Sequence, residues 1–179
     1  MANLPKKYEY LNNEGAPRLL VEALKLFGTI ETKGAANSPT IISWADEVGG
    51  KVEDVYKADS IPWCGLFMAV VAKRAGKDVP KDPLWALNWG TYGTKVEKPM
   101  LGDVITFIRN GGGHVAIYVG EDGDCYHVLG GNQGDAVSIT RILKSRAYAF
   151  RRSTWNTAQP TNVRKIMLDG NGVISTNEG

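Results

Sequence analysis

Polar and apolar positions change their period along this chain near Pro99. Before it, apolar residues recur at helical spacing; after it, they alternate. Leu19, Leu20, Ala23, Leu24 and Phe27 share one face and predict a helix over 18–27, stopped by Gly28. Ser38 and Pro39 read as the N-cap and first residue of a second helix, with Ile41, Trp44, Ala45 and Val48 inward and Gly49-Gly50 as its end. A third helix is predicted from the Ser60-Ile61-Pro62 segment to Ala75, with Gly76 as its stop. Trp63, Leu66, Phe67, Val70 and Val71 give it an apolar stripe. Asp82-Pro83 opens a short fourth helix through Trp89.

Beyond Pro99 the pattern reads as strands over 104–108, 114–119, 125–129, 136–142 and 147–151. Gly111-Gly112-Gly113 reads as a flexible loop and 121–124 as an acidic hairpin turn. Helices first and an antiparallel sheet second is the α+β arrangement. The expected organisation is one domain over 1–153 and a polar C-terminal extension over 154–179, with a hairpin around Asp169-Gly170-Asn171-Gly172.

Composition narrows the function classes. The 179 residues suit a single domain and suffice for a core without disulfide staples. A net charge of +2 argues against a dedicated nucleic-acid binder. No apolar run is long enough for a membrane span, and the N-terminus lacks an apolar signal region, so synthesis in the cytoplasm without a signal peptide is expected. Two cysteines exclude a disulfide scaffold and a four-cysteine zinc site. No HExxH or CxxC spacing supports a metal, and neither a metal nor a cofactor is expected.

Cys64 is expected in the first turn of the third helix. Unpaired backbone N–H groups and the helix dipole there favour an anion, so a lowered thiol pKa is predicted. His114 opens a strand directly after three glycines. A hairpin centred on Asp122-Gly123 sets His114 opposite residues 130–132, which makes Asn132 its neighbour by register. A cysteine at a helix start, a histidine and an orienting amide follow the logic of a nucleophile–base–orienter triad. His127 is the rival base and Cys125 the rival nucleophile; packing inside the sheet is the plainer account of both. Asn132 also has a plainer account, as a turn residue after Gly130-Gly131. Trp85 and Trp89, four residues apart, are core by pattern or line a substrate groove.

Pro62-Trp63-Cys64 opening a helix, Gly102-Asp103 before a strand, Gly113-His114-Val115 and Gly130-Gly131-Asn132-Gln133 occur in that order. This set resembles the NlpC-type and CHAP superfamily of papain-like cell-wall hydrolases, and is most similar to a phage-associated subgroup of small single-domain members. Glu31 and Asn37-Ser38-Pro39 match further features of that subgroup. The resemblance spans roughly residues 21–152. It implies a papain-like fold with Cys64 as nucleophile, His114 as general base and Asn132 as third residue. An acidic residue found in many CHAP members two positions before that Asn is Gly130 here, which leaves Gln133 as the substitute candidate. Trp63 and Asp59 flank Cys64 as candidates for shaping the substrate site, with core packing and capping as the alternative.

The resemblance further implies hydrolysis of an amide in bacterial peptidoglycan, within the stem peptide or between sugar and peptide. The expected setting is phage or prophage lysis, reaching the periplasm through a membrane lesion of the holin type. An injected antibacterial effector held by an immunity protein is the other. The lack of a wall-anchoring module suits the thin wall of a Gram-negative target. A non-catalytic phage structural or wall-binding protein that keeps the fold is the alternative from another class.

Overall fold

The computed structural model describes residues 3–34 and 36–178. Among them a 3-10 helix (Lys6–Asn13) precedes α1 (Arg18–Leu24), α2 (Pro39–Val48), α3 (Lys51–Val55) and α4 (Cys64–Arg74). A second 3-10 helix (Ala86–Thr91) leads into β1 (Thr94–Lys95), β2 (Val104–Arg109), β3 (Gly112–Glu121), β4 (Cys125–Gly130), β5 (Ser138–Leu143), β6 (Ala147–Arg152) and β7 (Ile174–Ser175). The strands form one open sheet in the order β1-β6-β2-β3-β4-β5-β7, antiparallel throughout except for β5 and β7. The fold is mixed α+β, helices first, as the change of period predicts.

α4 is the centre of the molecule. The predicted one-sided stripe understates it, because every residue from Cys64 to Ala72 is buried. α1 and α2 pack on one side and β3 on the other, so the helix is apolar all round. It begins at Cys64, later than predicted, with Trp63 as its N-cap residue. Gly65 is required there. A Cβ would fall 2.3 Å from the Pro83 carbonyl oxygen and 2.7 Å from that of Leu84, so only glycine lets this segment lie against the helix start.

β3 is buried on both faces. Val115, Ile117 and Val119 meet the helical layer. Ala116 and Tyr118 join Ile105, Phe107, Val128 and Ile142 in a smaller cluster on the other face. Ile117 lies opposite Leu129, within one residue of the predicted register, and a bulge follows between Tyr118 and Gly120. Gly112 and Gly113 belong to β3 rather than to a flexible loop. The predicted fourth helix is the 3-10 turn at Ala86–Thr91.

The acidic turn is more than a turn. Asp122 is buried, and its Oδ2 accepts from His127 Nε2 and Arg141 Nε, both at 2.8 Å. Its Oδ1 accepts from the backbone N–H groups of Asp124 and Cys125. Burial alone would raise its carboxyl, but the bonds from His127, the backbone and Arg141 outweigh it and hold the group well below the usual range. The Tyr8 hydroxyl bonds His127 Nδ1 at 2.8 Å, which ties the first 3-10 helix to the sheet.

The expected C-terminal hairpin is absent among the described residues. The tail pairs with the sheet instead of with itself. Leu101 N–H donates to Arg164 O, Glu121 N–H to Ile166 O, and Leu168 N–H to Glu121 O. β7 then adds in parallel to β5, with Ile174 opposite Arg141. An open sheet offers unpaired backbone groups that a polar tail can satisfy.

Candidate active site

The first turn of α4, the start of β3 and the loop after β4 converge at one end of the sheet. Cys64, His114 and Gln133 lie there, 3%, 1% and 3% exposed. Backbone N–H groups of Val115, Gly65 and Cys64 favour the Cys64 thiolate, as the helix start predicts. Burial is the larger effect, however, and pushes the thiol up. The predicted lowering is thus overturned by desolvation. Burial likewise pulls the His114 imidazole down to about 4, against the charge of Glu178 and the bond to Gln133. At neutral pH the pair is a neutral thiol beside a neutral imidazole.

Gln133 sets which ring nitrogen of His114 carries the proton. Its amide Nε2 donates to the carbonyls of Ser138 at 2.6 Å and Val128 at 3.3 Å. Those bonds turn its Oε1 toward His114 Nε2, at 3.0 Å. A carbonyl oxygen only accepts, so Nε2 carries the proton and Nδ1 keeps the lone pair. This tautomer follows from the hydrogen-bond network.

The side chain that bonds the ring is therefore Gln133, the substitute candidate, and among the described residues no hydrogen bond joins Asn132 to it. β4 ends at Gly130, and Asn132 takes a left-handed φ of 56°. Extending the ladder to 132 misplaces the contact, because the chain turns first and Gln133 reaches the ring. Gly130 and Gly131 leave room for this turn. A Cβ on Gly130 would lie 2.9 Å from Gln133 Oε1, and one on Gly131 2.7 Å from the Trp63 ring. Gly131→Ala should lower stability by about 1–3 kcal/mol through overpacking, read as a lower urea midpoint with an unchanged slope. No loss would mean that both the Phe67 Cβ, 2.6 Å from the added methyl, and the Trp63 ring can move aside.

Among the described residues no hydrogen bond joins the Cys64 sulfur to the His114 ring. Val115, whose N–H favours the thiolate, is the residue next to His114. In this resting arrangement Cys64 and His114 are neighbours without a direct bond.

The predicted substrate-binding residues separate. Trp63 is fully buried against Trp44, and its Nε1 donates to Glu31 Oε2 at 2.9 Å; it is core, not substrate surface. Asp59 is buried, and its Oδ2 accepts from the backbone N–H groups of Thr32 and Ser38. Asn37 Oδ1 accepts from Asp59 N–H in return. Asp59 and Asn37 thus pin a loop, and Ser38 makes no side-chain cap. Trp89 is core, with its Nε1 on Pro83 O. Trp85 is 71% exposed and lines an apolar groove of about 520 Å³ with Val52, Val55 and Leu84, to which none of the three site residues contributes.

The rivals are accounted for by packing. Both ring nitrogens of His127 are engaged, by Tyr8 and Asp122. Cys125 is buried in the sheet, where burial raises its thiol. Both cysteines are free. No group of three or more His, Cys, Asp or Glu is placed to hold a metal among the described residues, and no helix is long and apolar enough to cross a membrane.

The buried imidazole has a consequence for stability. An unfolded histidine titrates near pH 6.5, whereas folded His114 does so at about 4. Its contribution is complete above the unfolded value and is lost as pH falls through this window, by about 3 kcal/mol. His127, also lowered by burial, acts in the same direction. The thermal midpoint should fall between pH 7 and 4, and less steeply in His114→Gln. Parallel profiles for the two chains would contradict a buried neutral His114.

Sequence reasoning did not find the ion pair over this site. Arg146 Nη1 and Nη2 donate to the two Glu178 carboxylate oxygens at 2.8 and 2.7 Å. Arg109 Nη1 donates to Asn177 Oδ1 at 2.9 Å. These partners are far apart in the chain, and no local pattern links them. No protein-family model matches this chain, and no curated protein matches it.

Proposed function

We propose that this chain is a papain-like cysteine hydrolase that cleaves a peptidoglycan amide, within the stem peptide or at the sugar–peptide link. One observation carries the reading. The Gln133 amide is held so that His114 presents Nδ1 as a base, next to a thiol at a helix N-terminus. That is the arrangement an acyl-transfer mechanism needs. The wall substrate comes from the resemblance of the motifs around Cys64 and His114 to cell-wall hydrolases.

In this mechanism Nδ1 takes the Cys64 proton as sulfur attacks the amide carbonyl. Backbone N–H groups at the start of α4 stabilise the oxyanion. The imidazolium then gives its proton to the leaving amine, leaving a thioester on Cys64. His114 next takes a proton from water, hydroxide adds to the thioester, and the acid leaves as the thiol is restored. Gln133 holds the ring throughout. The setting is phage-type lysis or injection into a competitor, in the latter case with an immunity protein over the site.

The closed, uncharged Cys64–His114 pair favours a second reading, a wall-binding protein without catalysis. Incubation with purified sacculi separates them. The hydrolase releases new amino groups, is stopped by iodoacetamide and is indifferent to EDTA. A binding protein sediments with sacculi and releases nothing. Loss with EDTA alone would point to metal chemistry.

A further inference from the structure

A peptide carbonyl must touch the Cys64 sulfur to react, and in this structure nothing of peptide size can. Cys64, His114 and Gln133 are each at most 3% exposed. The C-terminal segment lies beside two of them, Gln133 and His114. Ser175 and Asn177 face Gln133 across a cavity of about 470 Å³. The Glu178 side chain is fully buried, close enough for its charge to act on His114.

Glu178 is held in a built recess. Arg146 Nε donates to the Ile108 carbonyl at 3.1 Å, which fixes the guanidinium plane from within the domain. Its two outer nitrogens then grip the Glu178 carboxylate side by side, the bidentate geometry that selects carboxylates. Ser175 Oγ donates to the same carboxylate at 2.9 Å. Burial alone would raise this carboxyl, but the Arg146 bond outweighs it.

The remainder of the segment is held by a short ladder and by side-chain bonds from Arg109, Arg141 and Arg146. β7 has two residues, and it pairs in parallel with β5 over two positions, a short ladder of the weaker kind. Gly172, with φ of 113°, and Val173, 90% exposed, precede it. This is a point about which the segment can turn.

We propose that Arg146 is a carboxylate-binding subsite beside His114, and that Glu178 fills it in the resting chain as an internal substrate mimic. The C-terminal strap is thereby an autoinhibitory cover, displaced by a peptide that brings its own carboxylate. Opening also wets the site, which removes the burial that keeps thiol and imidazole uncharged. The identity of the displacing peptide rests on the hydrolase reading above; the cover does not.

The test is iodoacetamide alkylation read by peptide mass spectrometry, in the full chain, in Glu178→Gln and in a chain ending at Asn171. Cys64 should react at least tenfold faster in both variants, while Cys125, buried in the sheet, stays as slow as in the full chain. If the shortened chain unfolds, both cysteines speed up together, and Glu178→Gln alone decides. Unchanged Cys64 reactivity in Glu178→Gln with Cys125 protected would overturn the cover. In the shortened chain Arg146→Gln should raise KM for a stem peptide at least tenfold with kcat within twofold, and amidation of the peptide carboxylates should do the same. An unchanged KM in both would overturn the subsite. Faster alkylation in variants that cleave no peptide would instead uphold the cover and reject the hydrolase.

Discussion

Cys64→Ala should remove amide cleavage of peptidoglycan, on the order of 10³-fold or more in kcat. Only the sulfur can form the acyl intermediate, and no other thiol can replace it, because Cys125 is packed inside the sheet. The fold should survive, since α4 keeps its apolar contacts and alanine favours a helix. Amino-group release from sacculi, measured with the thermal midpoint, checks both parts. Full activity in Cys64→Ala would rule out the thiol mechanism. Lost activity with a collapsed midpoint would make Cys64 structural.

Gln133→Leu should lower kcat on the order of 10²-fold, the scale expected when a catalytic group loses its aim. The substitution removes the acceptor that keeps the proton on His114 Nε2. It also leaves the Val128 and Ser138 carbonyls without the amide donor they now share. Asn132→Ala should change kcat less than about threefold, since its side chain does not meet the ring. Gln133→Glu keeps an acceptor and adds a negative charge near His114. It should recover part of the rate and shift the acid limb of the pH–rate profile upward, because a neighbouring carboxylate favours the imidazolium. A large loss in Asn132→Ala with normal activity in Gln133→Leu would return the orienting role to Asn132.

Local signals were well read from the chain. Pro39 opens α2 as expected and α4 ends within one residue of its predicted end before Gly76, whereas α1 stops at Leu24, short of Gly28; the β3–β4 register is legible from the Asp122-Gly123 turn to within one residue. The places of Cys64 and His114 follow the same signals: Cys64 opens α4, and His114 lies two residues inside β3. Gln133 enters only as the substitute for Asn132, because periodicity carries a ladder forward past the point where the backbone leaves it. Trp63 and Asp59 look like site residues because they adjoin Cys64 in sequence. Their side chains turn away, one to Glu31 and one to the 32–38 loop.

The thiol pKa illustrates a different limit. A helix N-terminus predicts a thiolate, and its N–H groups do act in that direction. Desolvation depends on what the rest of the chain lays over the site, and spacing along α4 says nothing of that. The proposed cover is the C-terminal tail, which its polar composition marks only as an extension. Its contacts with Arg109, Arg141 and Arg146 are long-range hydrogen bonds, of which the Arg146–Glu178 pair is ionic, and they leave no periodic trace.

Mass spectrometry of muropeptides from digested sacculi, with wild type and Cys64→Ala side by side, tests the proposed chemistry most directly. A Cys64 hydrolase yields fragments cut at one defined amide, each cut adding one water, and Cys64→Ala yields none. Identical muropeptide profiles with wild type, Cys64→Ala and no protein would contradict it.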